Sequence, residues 1–123
     1  MEKRNAENYN GDSISGTTAN VLLLTKDYIY VANVGDTRCI GITRGNNANC
    51  RFKALSKDHK PQLDCEKQRI LKAGGVISED GRINNNLNMS RALGDFSYKN
   101  NPNLSYSEQI ISPIPDITKT LRL

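Results

Sequence analysis

The fold of this chain is decided by the stretch Ser90-Arg91-Ala92-Leu93-Gly94-Asp95, read together with four short blocks upstream of it. Each block alone is too short to be informative, so the signal is their fixed order along the 123 residues. The four blocks are Ser15-Gly16-Thr17-Thr18-Ala19, Ala32-Asn33-Val34-Gly35-Asp36-Thr37-Arg38, Leu55-Ser56-Lys57-Asp58-His59-Lys60-Pro61, and a series that runs from Glu66 through Arg69-Ile70 to Ala73-Gly74-Gly75.

Segments typical of strands dominate the first half of the chain. Residues 18–24 form a short apolar run that suits a buried strand, and residues 28–34 and 37–43 are rich in β-branched side chains. Gly35 lies between the last two segments, which predicts a hairpin in which this glycine adopts a positive φ. With a further strand at residues 50–55, the pattern predicts an antiparallel meander of three or four strands.

A helix and several short elements are predicted to follow. The helix is expected to run from a cap at Asp64 to a stop at Gly74. Its Glu66 and Arg69 are three residues apart and are expected to pair on the solvent side, while Ile70 faces inward. The other expected elements are short strands at 76–77 and 82–83, a helical turn at 89–93, and extended chain at 109–112 and 116–123, the last confined to a sheet edge or a linker by Pro113 and Pro115. The order of the predicted elements, in which strands are followed by a helix and then by further strands, predicts an α+β fold.

Composition argues against several classes of function. The formal net charge is +4, but the basic residues are scattered without a long run, so nucleic-acid binding is not expected. The three cysteines have no metal-type spacing and are expected to be free thiols in a reducing compartment. No signal peptide pattern and no membrane-length apolar run is present. The chain is therefore predicted to be intracellular, either cytoplasmic or nuclear, with no membrane partner.

Two loops carry the side chains with the clearest chemistry. Asp58 offers a carboxylate, which is a hard ligand suited to Mg²⁺ or Mn²⁺. The adjacent His59 is interpreted as a hydrogen-bonding loop residue, with metal binding as the alternative. Gly35, Asp36 and Arg38 are interpreted as the scaffold of the predicted hairpin, with Asp36 accepting backbone N–H bonds and Arg38 able to fork onto a carboxylate. The alternative for Arg38 is capture of a phosphate.

Taken in order, the five blocks resemble the central part of the catalytic domain of a protein phosphatase 2C-like (PPM family) metal-dependent serine/threonine phosphatase. The resemblance implies a β-sandwich flanked by helices, of which this chain would hold a partial sandwich, about half of a four-layer αββα domain. Residues 1–14 are expected to be a polar, frayed terminus and residues 15–123 the partial domain. Within it, residues 59–99 are expected to contain a flap-like segment that influences the choice of substrate and partner.

The resemblance also implies a reaction and roles for individual residues. The family hydrolyses phosphoserine and phosphothreonine in phosphoprotein substrates, with water activated between two Mg²⁺ or Mn²⁺ ions. Asp58 matches an aspartate that helps to hold an additional metal ion. A block of the family that supports the metal centre without binding the ion matches Ser90, Arg91 and Asp95. His59, next to Asp58 in the sequence, is expected to lie near the same site. If residues 89–93 form a helical turn, Arg91 and Asp95 are also expected to bridge each other.

The principal metal ligands of the family have no counterpart in this sequence. An early Asp-Gly-His block, a late Asp-Gly block ending in Trp-Asp and a final Asp-Asn pair are absent, and the pair Asp80-Gly81 is followed by Arg82. No residue of this chain is therefore assigned a catalytic role. Two hypotheses stay open: a fragment of a phosphatase whose active form includes further segments, or a phosphatase-like binding module that lacks the main metal site and catalyses nothing.

Overall fold

The computed structural model describes residues 15–45 and 49–122. The frayed terminus predicted for residues 1–14 lies outside this described part. In chain order the elements are β1 (Gly16–Thr17), β2 (Ala19–Leu24), β3 (Tyr28–Val34), β4 (Ile40–Arg44), β5 (Cys50–Ala54), α1 (Asp64–Lys72), β6 (Leu93–Gly94), a single 3₁₀ turn (Phe96–Tyr98) and β7 (Asp116–Leu121).

Strands β2, β3 and β7 form an antiparallel sheet with β3 at its centre. Its register places Leu22 opposite Val31, and Val31 opposite Thr118. A tight turn joins β2 to β3, and in it the Tyr28 N–H donates to Thr25 Oγ1 at 3.0 Å. Strand β7 lies at the edge of the sheet, which is the place expected for a strand that follows two prolines.

Strands β4 and β5 form a separate antiparallel hairpin, so the predicted meander of three or four strands is wrong. Strand β3 has β2 on one side and β7 on the other, which leaves no edge for β4. Gly35 adopts the expected positive φ, at 101°, but it turns the chain out of the first sheet instead of closing a hairpin. A side chain at this position would clash with Thr18 and with the carbonyl oxygen of Arg91, so the close approach requires glycine.

Helix α1 begins at Asp64 and ends at Lys72. The N-cap residue is Leu63, whose side chain makes no capping bond, so the predicted cap by Asp64 is wrong. Asp64 lies in the first turn instead, where its negative charge interacts favourably with the helix dipole. The predicted stop is confirmed, because Gly74 has a φ of 87° immediately after the helix.

The segment between α1 and β6 is held by isolated bridges and by bonds to distant segments. Ile77 and Ile83 form one such bridge where two short strands were expected. The helical turn predicted for residues 89–93 is wrong: the Ser90 N–H donates to the His59 carbonyl at 3.0 Å, and β6 pairs with β1. A single helical turn is costly to nucleate, so these tertiary bonds prevail.

The main buried apolar cluster joins α1 to the segments that follow it. Its members are Ile70, Ile83, Ala92 and Ile111, each at most 1% exposed. Val31 and Val34 of β3 are buried as well, but many other apolar side chains of the strands are exposed, such as Val21 at 62% and Phe52 at 71%. Strand β2 and the β4–β5 hairpin therefore leave much of their apolar area exposed within the described part of the chain.

In residues 15–45 and 49–122, several sheets and one α-helix make a sheet-rich α+β structure, as predicted. Among the described residues, no helix has the length and apolarity needed to cross a bilayer. All three cysteines are free thiols, also as expected.

Candidate functional site

Residues 35–38, which follow β3, and residues 57–60 form two adjoining loops that are joined by backbone and side-chain bonds. The His59 N–H donates to the Gly35 carbonyl at 3.0 Å, and the Gly35 N–H donates to His59 Nδ1 at 3.0 Å. The buried Asn33 side chain donates to the carbonyl oxygens of Gly35 and Lys57 at 3.0 and 2.9 Å. The loop after β3 and the Asp-His loop are thus fixed relative to each other.

The imidazole of His59 is buried, with 2% of the residue exposed, and both of its nitrogens are engaged. Because Nδ1 accepts from the Gly35 N–H, the neutral ring carries its proton on Nε2. Nε2 lies 3.1 Å from Asp116 Oδ2, so it donates to that carboxylate. His59 therefore bridges the end of β3 and the start of β7, which favours the loop-residue interpretation over metal binding.

The Asp58 carboxylate is held by Arg38 in a two-point fork. Arg38 Nε donates to Oδ1 at 3.0 Å, and an Arg38 terminal nitrogen donates to Oδ2 at 2.9 Å. The hydrogen bonds from Arg38 lower the pKa of Asp58, so this side chain is a carboxylate at neutral pH. In turn, the hydrogen bonds and the negative charge of Asp58 raise the pKa of Arg38. The sequence predicted that Arg38 could bind a carboxylate at two points without identifying it, and in the structure that carboxylate belongs to Asp58.

A second ion pair connects the same two loops. Lys60 donates to the Asp36 carboxylate, so Asp36 pairs with a side chain across the loops and not with the backbone of its own turn as expected. Gly35, Asp36 and Arg38 consequently form a scaffold, but they join two loops, whereas the sequence predicted the scaffold of a β3–β4 hairpin.

A buried carboxylate on α1 forms the centre of a polar cluster beneath these loops. Glu66 is 1% exposed and accepts from Ser90 Oγ at 2.6 Å, from Arg69 at 2.7 Å and from Arg91 at 2.6 Å. The predicted pairing of Glu66 with Arg69 occurs, but it is buried and does not face solvent. Burial would raise the pKa of Glu66, yet the bonds from Arg91 and Ser90 outweigh it and lower that pKa.

Arg91 connects this cluster to β7. One terminal nitrogen of Arg91 donates to Asp116 Oδ1 at 2.8 Å while another donates to Glu66. The predicted bridge between Arg91 and Asp95 is wrong, because the backbone there is extended and the guanidinium points to α1 and β7. For Asp116, burial would raise the pKa, but the bonds from His59 and Arg91 lower it. A continuous polar chain therefore runs from α1 through Arg91 and Asp116 to His59.

Asp95 lies apart from that chain, in a close contact with β1. The residue is 4% exposed and has a φ of 47°, a left-handed conformation that aspartate tolerates better than most residues. Its N–H donates to the Ser15 carbonyl at 2.9 Å, and a methyl group at Gly16 would overlap its carboxylate. Burial raises the pKa of Asp95, and the nearby charge of Lys99 opposes this only in part.

Five charged residues that take part in these contacts were not predicted as site residues: Lys60, Glu66, Arg69, Lys99 and Asp116. Lys99 donates to the carbonyl oxygens of Ala92 and Gly94, and its charge partly opposes the rise in the pKa of Asp95. The only usable signal in the sequence was the spacing of Glu66 from Arg69. Asp116 follows Pro115 in a segment read as an edge strand, and nothing local indicated that it would meet His59.

A divalent metal ion needs several converging oxygen or nitrogen ligands. Among residues 15–45 and 49–122, no three acidic, histidine or cysteine side chains lie close enough together to hold one. Both carboxylate oxygens of Asp58 accept hydrogen bonds from Arg38, and both ring nitrogens of His59 are hydrogen-bonded, to the Gly35 N–H and to Asp116. The described residues alone do not fit a complete Mg²⁺ or Mn²⁺ site.

Comparison with known proteins places this arrangement in a family. The family model for protein phosphatase 2C matches residues 1–122. Probable protein phosphatase 2C 2 of Paramecium tetraurelia is 52% identical over 108 residues, which cover 88% of this chain and 34% of that protein. Probable protein phosphatase CG10417 of Drosophila melanogaster is 51% identical over 107 residues, 87% of this chain and 15% of that protein. The chain thus spans about a third or less of these curated relatives.

Solved structures agree with the sequence comparison. The crystal structure of a phosphatase from Toxoplasma gondii superposes with a TM-score of 0.69 at 37% identity, covering 78% of this chain and 28% of that one. The structure of a Caenorhabditis elegans sex determining protein gives a TM-score of 0.68 at 26% identity, covering 86% and 24%. These likenesses confirm the predicted partial α+β domain. The chain belongs to the protein phosphatase 2C family.

Proposed function

We propose that this chain is part of a protein serine/threonine phosphatase and acts in the hydrolysis of phosphoserine and phosphothreonine in phosphoprotein substrates. The observation that carries the proposal is the family match over residues 1–122, supported by 52% identity to a Paramecium phosphatase over 108 residues. Because the matched region is 34% of that relative, the activity is proposed for a longer chain that contains these residues.

Phosphatases of this family are generally metal-dependent, and we propose Asp58 as the metal ligand that this chain supplies. Its lowered pKa keeps it ionised, as a ligand must be. One carboxylate cannot hold an ion alone, so the remaining ligands are proposed to come from residues outside this chain. Mg²⁺ or Mn²⁺ is the expected ion, because carboxylate oxygens suit both.

The other predicted site residues are proposed to position the loops. His59 and Arg91 fix β7 against the loop that carries Asp58, through Asp116. Ser90 and Arg91 both bond Glu66, which fixes their segment to α1. Residues 59–99, which contain α1, are proposed as the flap-like segment that shapes the choice of phosphoprotein.

A catalytically inactive binding module is the second candidate. The observation that favours it is the two-point fork of Arg38 on Asp58, which engages both carboxylate oxygens and competes with any metal ion. If the fork persists in a longer chain, Asp58 serves only to hold the loops together.

A chimera tests the first proposal against the second. The 108 matched residues of this chain replace the corresponding third of the Paramecium relative, and hydrolysis of a phosphothreonine peptide is measured with Mn²⁺. We expect turnover by the chimera and negligible turnover by the 123-residue chain alone. Asp58→Ala in the chimera should lower activity about tenfold or more at limiting Mn²⁺, with partial recovery in excess Mn²⁺. Cys65→Ser, at an exposed helix position, is the matched control and should leave activity unchanged.

The chimera separates the two candidates clearly. A soluble, folded chimera without turnover would favour the binding module. Full activity of Asp58→Ala at limiting Mn²⁺ would remove the proposed ligand role of Asp58 while leaving the phosphatase proposal in place.

A further inference from the structure

Three polar residues lie side by side across the three-stranded sheet. The register places Asn20 of β2 opposite Asn33 of β3, and Asn33 opposite Asp116 of β7. Directly opposed residues of neighbouring strands extend their side chains to the same face of a sheet. The side chains of Asn20, Asn33 and Asp116 therefore form a polar row on one face, beside the buried side chain of Val31, which lies two residues before Asn33.

Each residue of the polar row bonds a different residue of the segment 55–59, which carries Asp58. The bonds run from Asn20 Nδ2 to Ser56 Oγ at 3.3 Å, from Asn33 Nδ2 to the Lys57 carbonyl oxygen at 2.9 Å, and from His59 Nε2 to Asp116 Oδ2 at 3.1 Å. Thr118, on the same face of β7, donates to the Leu55 carbonyl oxygen. The segment is therefore laid across the sheet and bonded to it on both sides of Asp58.

Asp58 is the exception in this segment. Within the described part of the chain it makes no hydrogen bond to the sheet, and its carboxylate accepts two bonds from Arg38 instead. Lys57 and His59, its neighbours in the sequence, are both bonded to the polar row. Because both neighbours are held against the sheet, Asp58 is the residue that the loop presents on the side of Arg38.

The side-chain amide of Asn33 is the centre of the polar row. It is buried, its oxygen accepts from Asn20 at 2.8 Å, and its nitrogen donates to the Gly35 and Lys57 carbonyl oxygens at 3.0 and 2.9 Å. The Lys57 carbonyl and the Asp58 nitrogen belong to one planar peptide group. Asn33 therefore fixes the orientation of the backbone that leads into Asp58.

An amide at this position has a cost that an apolar side chain would avoid. A buried polar group is penalised by the loss of water unless it is hydrogen-bonded. Val31, on the same face of the same strand, is a similarly buried apolar residue whose side chain contributes packing alone. What Asn33 adds over such a residue is its bonds to the two loops, so its specific contribution is to their position.

We propose that Asn33 is a positioning residue for Asp58. Through the Lys57–Asp58 peptide group it holds the Asp58 carboxylate in one place, while Asn20 and Asp116 hold the flanking residues. The inference rests on the proposed function, in which Asp58 supplies a metal ligand. A ligand that is already held in place loses little conformational freedom when it binds, so removal of the Asn33 amide should weaken ion binding.

Amide hydrogen exchange in the 123-residue chain tests the positioning role without reference to activity. The His59 N–H, which donates to the Gly35 carbonyl, reports on the contact between the two loops. Asn33→Ala should speed its exchange about tenfold or more relative to the mid-strand amides of β3. Val31→Ala is the matched control, because it loosens the same face of the same strand and should speed both sets of amides alike. The same ratio in the two variants would overturn the proposal.

The unsubstituted chain provides a second measurement, which decides the question if Asn33→Ala does not fold. Both side-chain N–H hydrogens of Asn33 are bonded in a buried site, so they should exchange about tenfold or more slowly than those of the exposed Asn100 side chain. Equal exchange of the two side-chain amides would contradict the positioning role. Both measurements apply to the chimera as well, so the outcome does not depend on the isolated chain being folded.

Activity of the chimera separates positioning from a merely structural role. Asn33→Ala should raise the Mn²⁺ concentration for half-maximal activity about tenfold or more, while kcat at saturating Mn²⁺ stays within about twofold. Val31→Ala should leave the half-maximal concentration unchanged. An equal loss of activity at all Mn²⁺ concentrations in Asn33→Ala would overturn the proposal. An inactive chimera with the expected exchange would count against the proposed function alone, whereas an active chimera with an unshifted Mn²⁺ requirement would count against the role of Asn33 alone.

Discussion

Glu66 of α1 and Arg91, two residues before β6, form a salt bridge at 2.6 Å in which both side chains are largely buried. Arg69 and Ser90 donate to the same carboxylate. A buried charge is tolerated when it is paired and its oxygens are fully hydrogen-bonded, because the desolvation cost is then offset. Glu66 thus holds α1 to Ser90, to Arg91 and, through Arg91, to β7.

Glu66→Ala is expected to lower the free energy of unfolding by about 3–5 kcal/mol, because it leaves Arg69 buried without its counter-charge and Arg91 with Asp116 as its remaining partner. Glu66→Gln keeps one acceptor oxygen and should cost less. Urea unfolding at low protein concentration measures both changes. Glu79→Ala, at an exposed turn position, is the control and should change stability by less than about 0.5 kcal/mol. Similar small losses for Glu66→Ala and Glu79→Ala would contradict the role of the cluster.

Acid should destabilise the chain through Glu66 and Asp116. Both carboxyl groups have folded-state pKa values below their ordinary values of 4.5 and 3.8. The stability they contribute is therefore fully present above those ordinary values, and it is lost as the pH falls through the folded-state pKa values. Urea unfolding between neutral and strongly acidic pH should show this loss.

Glu66→Gln removes one of these two titrating groups, so its stability should fall less steeply with acid than that of the wild type. Asn103→Gln, at an exposed position, changes no titrating group and should leave the wild-type slope unchanged. Identical slopes for the wild type and Glu66→Gln would contradict the assignment of the acid sensitivity to the buried carboxylate.

The sequence predicted the elements with local causes and missed those with distant ones. Strands β2 and β3, the turn between them and the stop of α1 at Gly74 follow from neighbouring residues. The pairing of β3 with β7 joins segments about 90 residues apart, and no local pattern distinguishes β7 from β4 as the neighbour of β3. The helical turn expected at residues 89–93 failed for the same reason, since Ser90 bonds His59 across the fold.

The same contrast between local and distant causes holds for the residues of the candidate site. Asp58, His59, Ser90, Arg91 and Asp95 were located through short motifs. Their partners were not, because a carboxylate that will be buried, such as Glu66, cannot be told from a solvated one by its spacing on a helix. Its burial results from two arginines, Arg69 and Arg91, that lie on different elements.

Asp95→Asn should stabilise the chain at neutral pH. Burial raises the pKa of the Asp95 carboxyl, so the ionised form is penalised in the folded state, and asparagine tolerates the same left-handed backbone. The gain should vanish as the pH falls through the folded-state pKa, because the wild-type carboxyl is then neutral as well. Urea unfolding at several pH values measures this, with Asp27→Asn at an exposed turn as the control.

The same substitution should act in the opposite direction on function. If Asp95 supports the metal centre, Asp95→Asn in the chimera will lower phosphatase activity while raising stability. A variant that is more stable and fully active would leave Asp95 without a role in the reaction. A variant that is less stable at neutral pH would contradict the burial argument.

The isolated chain is expected to associate through the open face of its three-stranded sheet. The register puts Val21, Leu23 and Ile117 on one face, and each is more than half exposed. Exposed apolar side chains of this kind drive association. Size-exclusion chromatography should therefore show a size that grows with protein concentration.

Leu23→Lys with Ile117→Lys should shift this association to about tenfold higher concentration or more, since both charges fall in the apolar face. Asn100→Lys with Asn103→Lys adds the same charge at exposed loop positions and should not, which separates apolar burial from simple charge repulsion. Amide exchange provides the independent check. A monodisperse wild-type chain with slow exchange throughout β2 and β3 would show that this part of the sandwich is stable without a covering layer, and would favour the binding module over the phosphatase fragment.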